Sequence, residues 1–241
     1  MIKLIKAKFR KEQFKPSLLS LIINSNYFVR RGIYKGIKSN TQYMTGKMLD
    51  FGCGTKPYRD IFNVDEYIGI DIINKGHSND TSLVDVFYDG SKIPFDDEFF
   101  DSVYSSEVLT HVFDTDSIVA EIQRVLKKDG YALITVPFVW HENEKPNDAV
   151  RFTSFGICNI LERNGFKIIK CKKYGTYFTT TIQMWNSFLF HTIFPKPVLA
   201  KVILTIIFIF PVQLIAFLVS PIMPRNNDLF NNTVVVVQRI K

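Results

Sequence analysis

Between residues 47 and 138 the apolar positions fall into short runs of two kinds. KMLDFG (47–52), YIGIDI (67–72), SLVDVFY (82–88), FDSVYSS (100–106) and YALITVPF (131–138) are rich in β-branched and aromatic residues and predict strands. SIVAEIQRVLKK (117–128) instead carries its apolar residues at helical spacing and predicts an amphipathic helix over its whole length. Strands interleaved with helices imply βαβ units, a parallel sheet and an α/β fold, in which ligands bind beyond the carboxyl ends of the strands. A different texture follows. Residues 202–224 hold no charge, and the preceding Tyr174 to Pro195 is uncharged and aromatic-rich. A stretch of this length would suit a transmembrane helix, but Pro211 divides it into two pieces of about ten residues, with Pro221 and Pro224 closing it, so a single straight helix is not expected.

Charge changes the picture more than composition does. With 46% hydrophobic residues in 241 the chain folds, as one large domain or two small ones. Its net charge of +7 describes no part of it: residues 1–47 carry eleven basic side chains against Glu12 alone, a local +10, and the rest nets −3. Lys3, Lys6 and Lys8 interrupt any export-signal core. Ile2, Ile5 and Phe9 recur between those lysines, as in an interfacial helix on anionic lipid or in a basic helix lying on its own domain. Cys53, Cys158 and Cys171 form no CxxC pair and no cluster with histidine, which argues against a disulfide framework and a zinc site and fits a reducing, cytoplasmic compartment.

The first strand runs into Asp50-Phe51-Gly52-Cys53-Gly54-Thr55, and Asp71 ends the next strand 21 residues after Asp50. A glycine turn lets a ligand approach the backbone, and an acid about 20 residues further on can accept hydrogen bonds from ribose. The third glycine of a dinucleotide fingerprint is replaced by Pro57, with Lys56 and Tyr58 beside it, which disfavours a pyrophosphate and leaves an adenosine ligand without one. In LDFGCGTKPYRDIF, YIGIDI, DGSKIPF, FFDSVYSSEVLTHV and EIQRVLKKDGYALITVPF the chain resembles the class I S-adenosylmethionine-dependent methyltransferases, over residues 46–173 and a final strand at 233–241. The segment HENEKPNDAVRFTSFGICNILERNGFKI is similar to the corresponding part of methyltransferases from surface-polysaccharide and lipid-linked glycan pathways.

The resemblance implies a Rossmann-like sheet of parallel strands plus one antiparallel C-terminal strand, TVVVVQRIK, partnered by FKIIKCKK (166–173). It also implies S-adenosyl-L-methionine as cofactor. Gly52 and Gly54 lie against the methionine part, Asp50 neighbours its amino group, and Asp71, with Ile72 beside it, takes the ribose hydroxyls. Asp89 and Gly90 sit near the adenine, with Asp85 as a competitor, and Ser105, Ser106 or Glu107 lines the cleft, Ser105 being preferred. No metal is expected. His141, just past the fifth strand, is the first candidate for a base that deprotonates an acceptor, and His111 in LTHV the second. Arg151 reads as a structural partner of Asp148 or as a site for an anionic substrate group, and Cys53 as small filler.

The domain plan expected is a basic N-terminal helical segment at 1–45, a catalytic domain at 46–173 and 232–241, and a hydrophobic insert at 174–231. Because the strands flanking the insert share one sheet, a single membrane crossing is excluded. Two in-plane helices, a re-entrant hairpin bent at Pro211, or an apolar cap over the cleft remain. The function expected is methylation of a lipid-linked or membrane-proximal acceptor by an enzyme peripheral to the cytoplasmic face of an anionic membrane. The alternatives are methylation of a soluble sugar or small metabolite under a lid, and a catalytically silent membrane-associated binding module. Nucleic acid is disfavoured because the basic residues are concentrated in one segment with few interleaved aromatics.

Overall fold

The computed structural model describes residues 9–72 and 83–241, so the expected helix pattern at Ile2 and Ile5, and the first residue of the third strand run, lie outside the described residues. The strand runs form β1 (Lys47–Phe51), β2 (Glu66–Ile72), β3 (Val86–Tyr88), β4 (Phe100–Ser106), β5 (Leu126–Pro137), β6 (Phe166–Tyr174) and β7 (Asn232–Arg239). They make one seven-stranded sheet in the order β3-β2-β1-β4-β5-β7-β6. β1 to β5 pair in parallel. β6 and β7 run antiparallel, since Asn231 N donates to Tyr174 O at 2.9 Å and Ile240 N to Gly165 O at 3.1 Å. This is the Rossmann-like sheet that the resemblance implies, with its last strand inserted beside β5.

The helices that lie wholly among the described residues are α1 (Tyr27–Lys38), α2 (Thr115–Val125), α3 (Ser154–Arg163), α4 (Tyr177–Phe188), α5 (Val198–Leu204) and α6 (Phe210–Val219), with a single helical turn at Ser20–Ile23, and residues 9–14 are helical as well. Residues 1–35 and 173–232 form one compact unit, residues 36–172 and 233–241 the other. In the second unit, α2 starts where Asp114 accepts from Ser117 N at 3.1 Å and α3 where Thr153 accepts from Gly156 N at 3.0 Å, two side-chain caps that satisfy otherwise orphaned amides. Ile118, Val119 and Ile122 of α2 and Ile157 and Leu161 of α3 are buried with Leu49, Val103, Ile134 and Val235 of the sheet. The core therefore fixes the carboxyl ends of β1, β2 and β4 against one another.

Two expectations are corrected. The helix over 117–128 ends at Val125, because Leu126 is drawn into the core opposite Phe100 and already belongs to β5. The next in-register pair is Ser102 with Tyr131, so Lys127 to Gly130 bulge out of the ladder rather than finishing a helix. In the other unit, Pro211 neither breaks the apolar run nor bends it into a hairpin. Val198–Val219 is one helical run of 22 residues in which a π turn at Thr205–Ile209 precedes Pro211. The wider turn absorbs the missing proline N–H and the ring's demand for space. By length and composition it is apolar enough to cross a membrane.

Candidate functional site

The turn after β1 is built by two left-handed glycines with different duties. Gly52 has φ +72°, and a Cβ there would lie 2.3 Å from Val108 Cγ2, so the first glycine is demanded by packing as well as by conformation. Gly54 has φ +47°, and a Cβ there would meet nothing within 4 Å among the described residues, which leave open space beside its backbone. Gly52 N and Cys53 N both donate to Ile70 O at 3.0 Å, pinning the turn to β2. Gly54 N donates to Asp71 Oδ2 at 2.8 Å and Ile72 N to Asp71 Oδ1 at 2.8 Å. The Asp71 carboxylate is thereby held by one amide on each oxygen, and its remaining lone pairs can accept two hydroxyls.

Beneath the turn lies a buried polar layer that the sequence only half discloses. Asp50 is 3% exposed and accepts a hydrogen bond from Tyr67 OH. Burial pushes its carboxyl up to about 7 against the pull of Tyr67 and Lys56. Lys56 pairs with Asp85, which also accepts from Gly69 N at 2.7 Å. The Lys56 stem passes so close that a Cβ on Gly69 would lie 2.4 Å from its Cε. The residue expected to obstruct a pyrophosphate is thus a strut between the turn and β2, and Asp85 is committed to it. Cys53 is buried, and burial with the neighbouring Asp50 pushes its thiol up to about 12, consistent with filler and not with a nucleophile.

At the end of β2, Ile72 exposes its side chain and faces Gly90, where a Cβ would lie 3.5 Å from Ile72 Cγ2. Asp89 turns onto the next residues, its Oδ1 accepting from Ser91 N at 2.9 Å and Ser91 Oγ at 2.6 Å, and these bonds hold its carboxyl below the usual range. At the end of β4, Ser106 and Glu107 are used internally: Ser106 Oγ lies 2.9 Å from Thr135 Oγ1, which donates to Glu107 Oε1 at 2.7 Å. Glu107 itself is left-handed at φ +62°, a costly conformation for a side-chain-bearing residue and a feature no sequence pattern announces. Ser105 is 1% exposed and its hydroxyl has no hydrogen-bond partner among the described residues.

His111 and His141 are both tied to the loop after β5. Arg151 grips Asp148 with both terminal nitrogens, at 2.6 and 2.5 Å, and also donates to Thr110 Oγ1 at 2.6 Å and to His141 O at 2.9 Å. Asp148 accepts in addition from Asn143 N at 2.8 Å, and the Arg151 guanidinium draws its carboxyl down to about 2. Arg151 is therefore a strut that fastens residues 141–151 to the 3₁₀ turn Leu109–His111. His111 Nδ1 lies 3.2 Å from Asn147 O and its Nε2 3.7 Å from Glu144 Oε2. His141 packs on Trp140 with ring centroids 4.7 Å apart, and burial together with Arg151 holds its imidazole below the ordinary histidine range. It is neutral at pH 7, the form that accepts a proton.

Turn, clasp and exposed Ile72 come together at the carboxyl ends of β1 and β2, and His111 and His141 share one loop cluster after β4 and β5. Tyr67, Lys56, Gly69 and Glu107 complete these assemblies. The sequence reading names Lys56 only as an obstruction and Glu107 as one of three residues lining the cleft; Gly69, a glycine inside a strand, carries a signal of close approach, and Tyr67 carries none.

Residues 49–134 match a protein family described as a methyltransferase domain. A sterol 24-C-methyltransferase of Gibberella zeae is 35% identical over 99 residues, covering 35% of this chain and 26% of that protein, so the chain spans about a quarter of this curated relative's length. Similar solved structures include phosphoethanolamine N-methyltransferase 2 of Haemonchus contortus in complex with S-adenosyl-L-methionine, with TM-score 0.54, 16% identity and coverage of 95% of this chain and 59% of that one. The complex between the Haloferax volcanii Trm112 methyltransferase activator and a methyltransferase gives TM-score 0.56 at 16% identity, with 87% and 89% covered. The cyclase SpnF gives TM-score 0.54 at 17% identity, with 85% and 79% covered. Such likeness establishes the fold, and the same fold evidently serves more than one chemistry.

Proposed function

Because the chain carries a methyltransferase domain of the class I fold, we propose that it transfers the methyl group of S-adenosyl-L-methionine to a hydroxyl of a lipid-linked glycan or another membrane-proximal acceptor. The observation that carries this reading is the clasp of Gly54 N and Ile72 N on the two oxygens of Asp71, beside open space at Gly54. The residues present fit the cofactor. The clasped carboxylate suits a ribose diol, the buried carboxyl of Asp50 suits an ammonium, exposed Ile72 suits the flat face of a purine, and the orphaned hydroxyl of Ser105 awaits a partner. When bound, the cofactor supplies an electrophilic methyl on a sulfonium.

What the chain itself contributes is alignment and proton handling. Asp50, close to half-ionised near pH 7, completes its ionisation when a cation approaches. Neutral His141 can take the proton of an acceptor hydroxyl, and Arg151 holds the loop that bears it. The acceptor class draws support from the sterol methyltransferase relative, since a sterol is itself a membrane lipid, and from the apolar run at Val198–Val219. The same reading places the protein at the cytoplasmic face of an anionic membrane as a peripheral enzyme, which suits its free cysteines.

Titration with S-adenosylhomocysteine tests the cofactor site. Wild type is expected to bind, Asp71→Ala to lose at least a hundredfold in affinity, and His141→Ala to bind normally while turning over more slowly by about a hundredfold or more, the scale of a lost general base. A wild type that does not bind overturns the enzyme reading. Radiolabelled methyl transfer into cell extracts then tests the acceptor: label in the lipid-linked fraction supports it, and label confined to water-soluble metabolites overturns it.

A further inference from the structure

The unit formed by residues 1–35 and 173–232 has its polarity reversed. In α4, Thr180, Gln183 and Asn186 are fully buried, as is Gln213 of α6, while Thr205 of the π turn is 2% exposed. The outward positions of the same helices are apolar: Trp185 is 51% exposed, Val198 77%, Leu199 73% and Leu218 64%. A helix that faces water turns the other way round. The buried amides hold the unit together, Gln183 Nε2 donating to Ser25 O and Gln213 Nε2 to Leu21 O, each at 2.9 Å. The unit that carries this apolar face is rich in cations and almost free of acids. Over the unit's whole sequence thirteen basic side chains stand against two acidic ones, a net of +11, and the other unit carries −4. Of the two acids, Glu12 is buried in a hydroxyl network, which leaves Asp228.

We propose that this unit docks into one leaflet of an anionic bilayer, with α4 and the Val198–Val219 run lying in the plane of the interface and not crossing it. This deepens the membrane part of the functional reading and rests on it only for location. The occupant follows from charge: a second copy would set +11 against +11, whereas an anionic leaflet offers phosphate headgroups to the cations and acyl chains to the apolar face. The in-plane attitude follows from what covers the inner side of the long helix. Its 22 residues reach about 33 Å, enough to span. Yet Gln213, about two thirds of the way along the run, is bonded to Leu21, and the adjacent Ser20 Oγ donates to Glu12 O at 2.9 Å and to its carboxylate at 2.5 Å. The Arg31 guanidinium lies 5.1 Å from the Phe217 ring centroid. Crossing would carry the Glu12 carboxylate and Arg31 into hydrocarbon. The two ends of the segment that bears both helices also meet, Tyr177 N donating to Asn226 O at 2.8 Å and Asn231 N to Tyr174 O at 2.9 Å.

The test uses the full chain with vesicles of phosphatidylcholine, with and without phosphatidylglycerol. Binding is expected only to the anionic vesicles, and Lys196→Glu with Arg225→Glu together should weaken it by roughly twentyfold or more, from about fivefold per cation. Leu199→Glu with Leu218→Glu, both at exposed positions, should abolish binding while S-adenosylhomocysteine affinity stays at the wild-type level. In a Trp140→Phe background Trp185 alone reports depth: lipids brominated near the glycerol end of the acyl chain should quench it more than lipids brominated near the methyl end. Stronger quenching from the methyl end overturns the in-plane attitude. Equal binding to neutral vesicles, or a vesicle-free dimer dissolved by the leucine variants, overturns the anionic bilayer as occupant. Vesicle binding without cofactor affinity would instead sink the enzyme reading and leave this one standing.

Discussion

At the scale of single residues, the two glycines of the turn separate conformation from space. Gly52→Ala meets Val108 at 2.3 Å as well as a left-handed φ, and should cost stability on the order of 3 kcal/mol together with binding. Gly54→Ala meets no atom of the described residues and pays only the conformational cost of about 1 kcal/mol, yet should still lose cofactor affinity because its methyl occupies the open space. Thermal melts beside cofactor titrations distinguish the two, and equal melting temperatures would contradict the assignment. Asp50 makes a prediction of opposite character. If its carboxylate meets the cofactor's ammonium, affinity should fall about tenfold per pH unit below about 7, and Asp50→Asn should flatten that profile. The folded carboxyl keeps its proton up to about pH 7, whereas the unfolded one releases it near its ordinary value. Stability therefore declines as pH rises through that window, and Asp50→Asn should be relatively more stable at pH 8 than at pH 5. Asp50, Gly52, Gly54 and Asp71 were legible because a short motif fixes their types and spacing. Tyr67 and Lys56 were not, because their roles depend on which strand lies beside which.

At the scale of elements, the loop after β5 is the part whose order rests on one residue. Arg151 joins Asp148, Thr110 and the His141 carbonyl, so it holds the loop by a planar fork that lysine cannot copy. Arg151→Lys should raise amide exchange over residues 141–151 and lower kcat by about tenfold while S-adenosylhomocysteine affinity stays within about twofold. Unchanged exchange would show that the loop is fastened by something else. The Asp148 pair, with its carboxyl drawn down to about 2, contributes its stability above the ordinary carboxyl range and loses it only as pH falls toward 2. The elements themselves were mostly readable, since apolar runs of strand type became β1, β2, β4 and β5. Two boundaries were not. Leu126 leaves the helical pattern because Phe100 offers it a buried place, and Pro211 stays inside a helix because a π turn makes room for it. Both are decisions of neighbours that local propensity does not contain.

At the scale of the whole molecule, cofactor binding should register as a map as well as an affinity. At a hundredfold excess over Kd, S-adenosylhomocysteine should stabilise the folded state by about 2.7 kcal/mol. The added exchange protection should concentrate on the amides of Gly52, Cys53, Gly54 and Ile72, which the turn and clasp already order. Protection spread evenly over residues 36–172 would mean general rigidification and not a site at that turn. The sequence by itself determined the class of sheet, the glycine turn with its acid one strand later, and the opposition of a basic leader to an acidic body, because each is written in residue type, spacing or a sum of charges. Only the tertiary structure decided that residues 1–35 join 173–232 in one unit of net +11, and that this unit turns its amides inward and its leucines outward. Which face of a helix is buried is set by the partners it meets across the chain, and an uncharged run such as Val198–Val219 has too little contrast between its faces to announce that choice in advance.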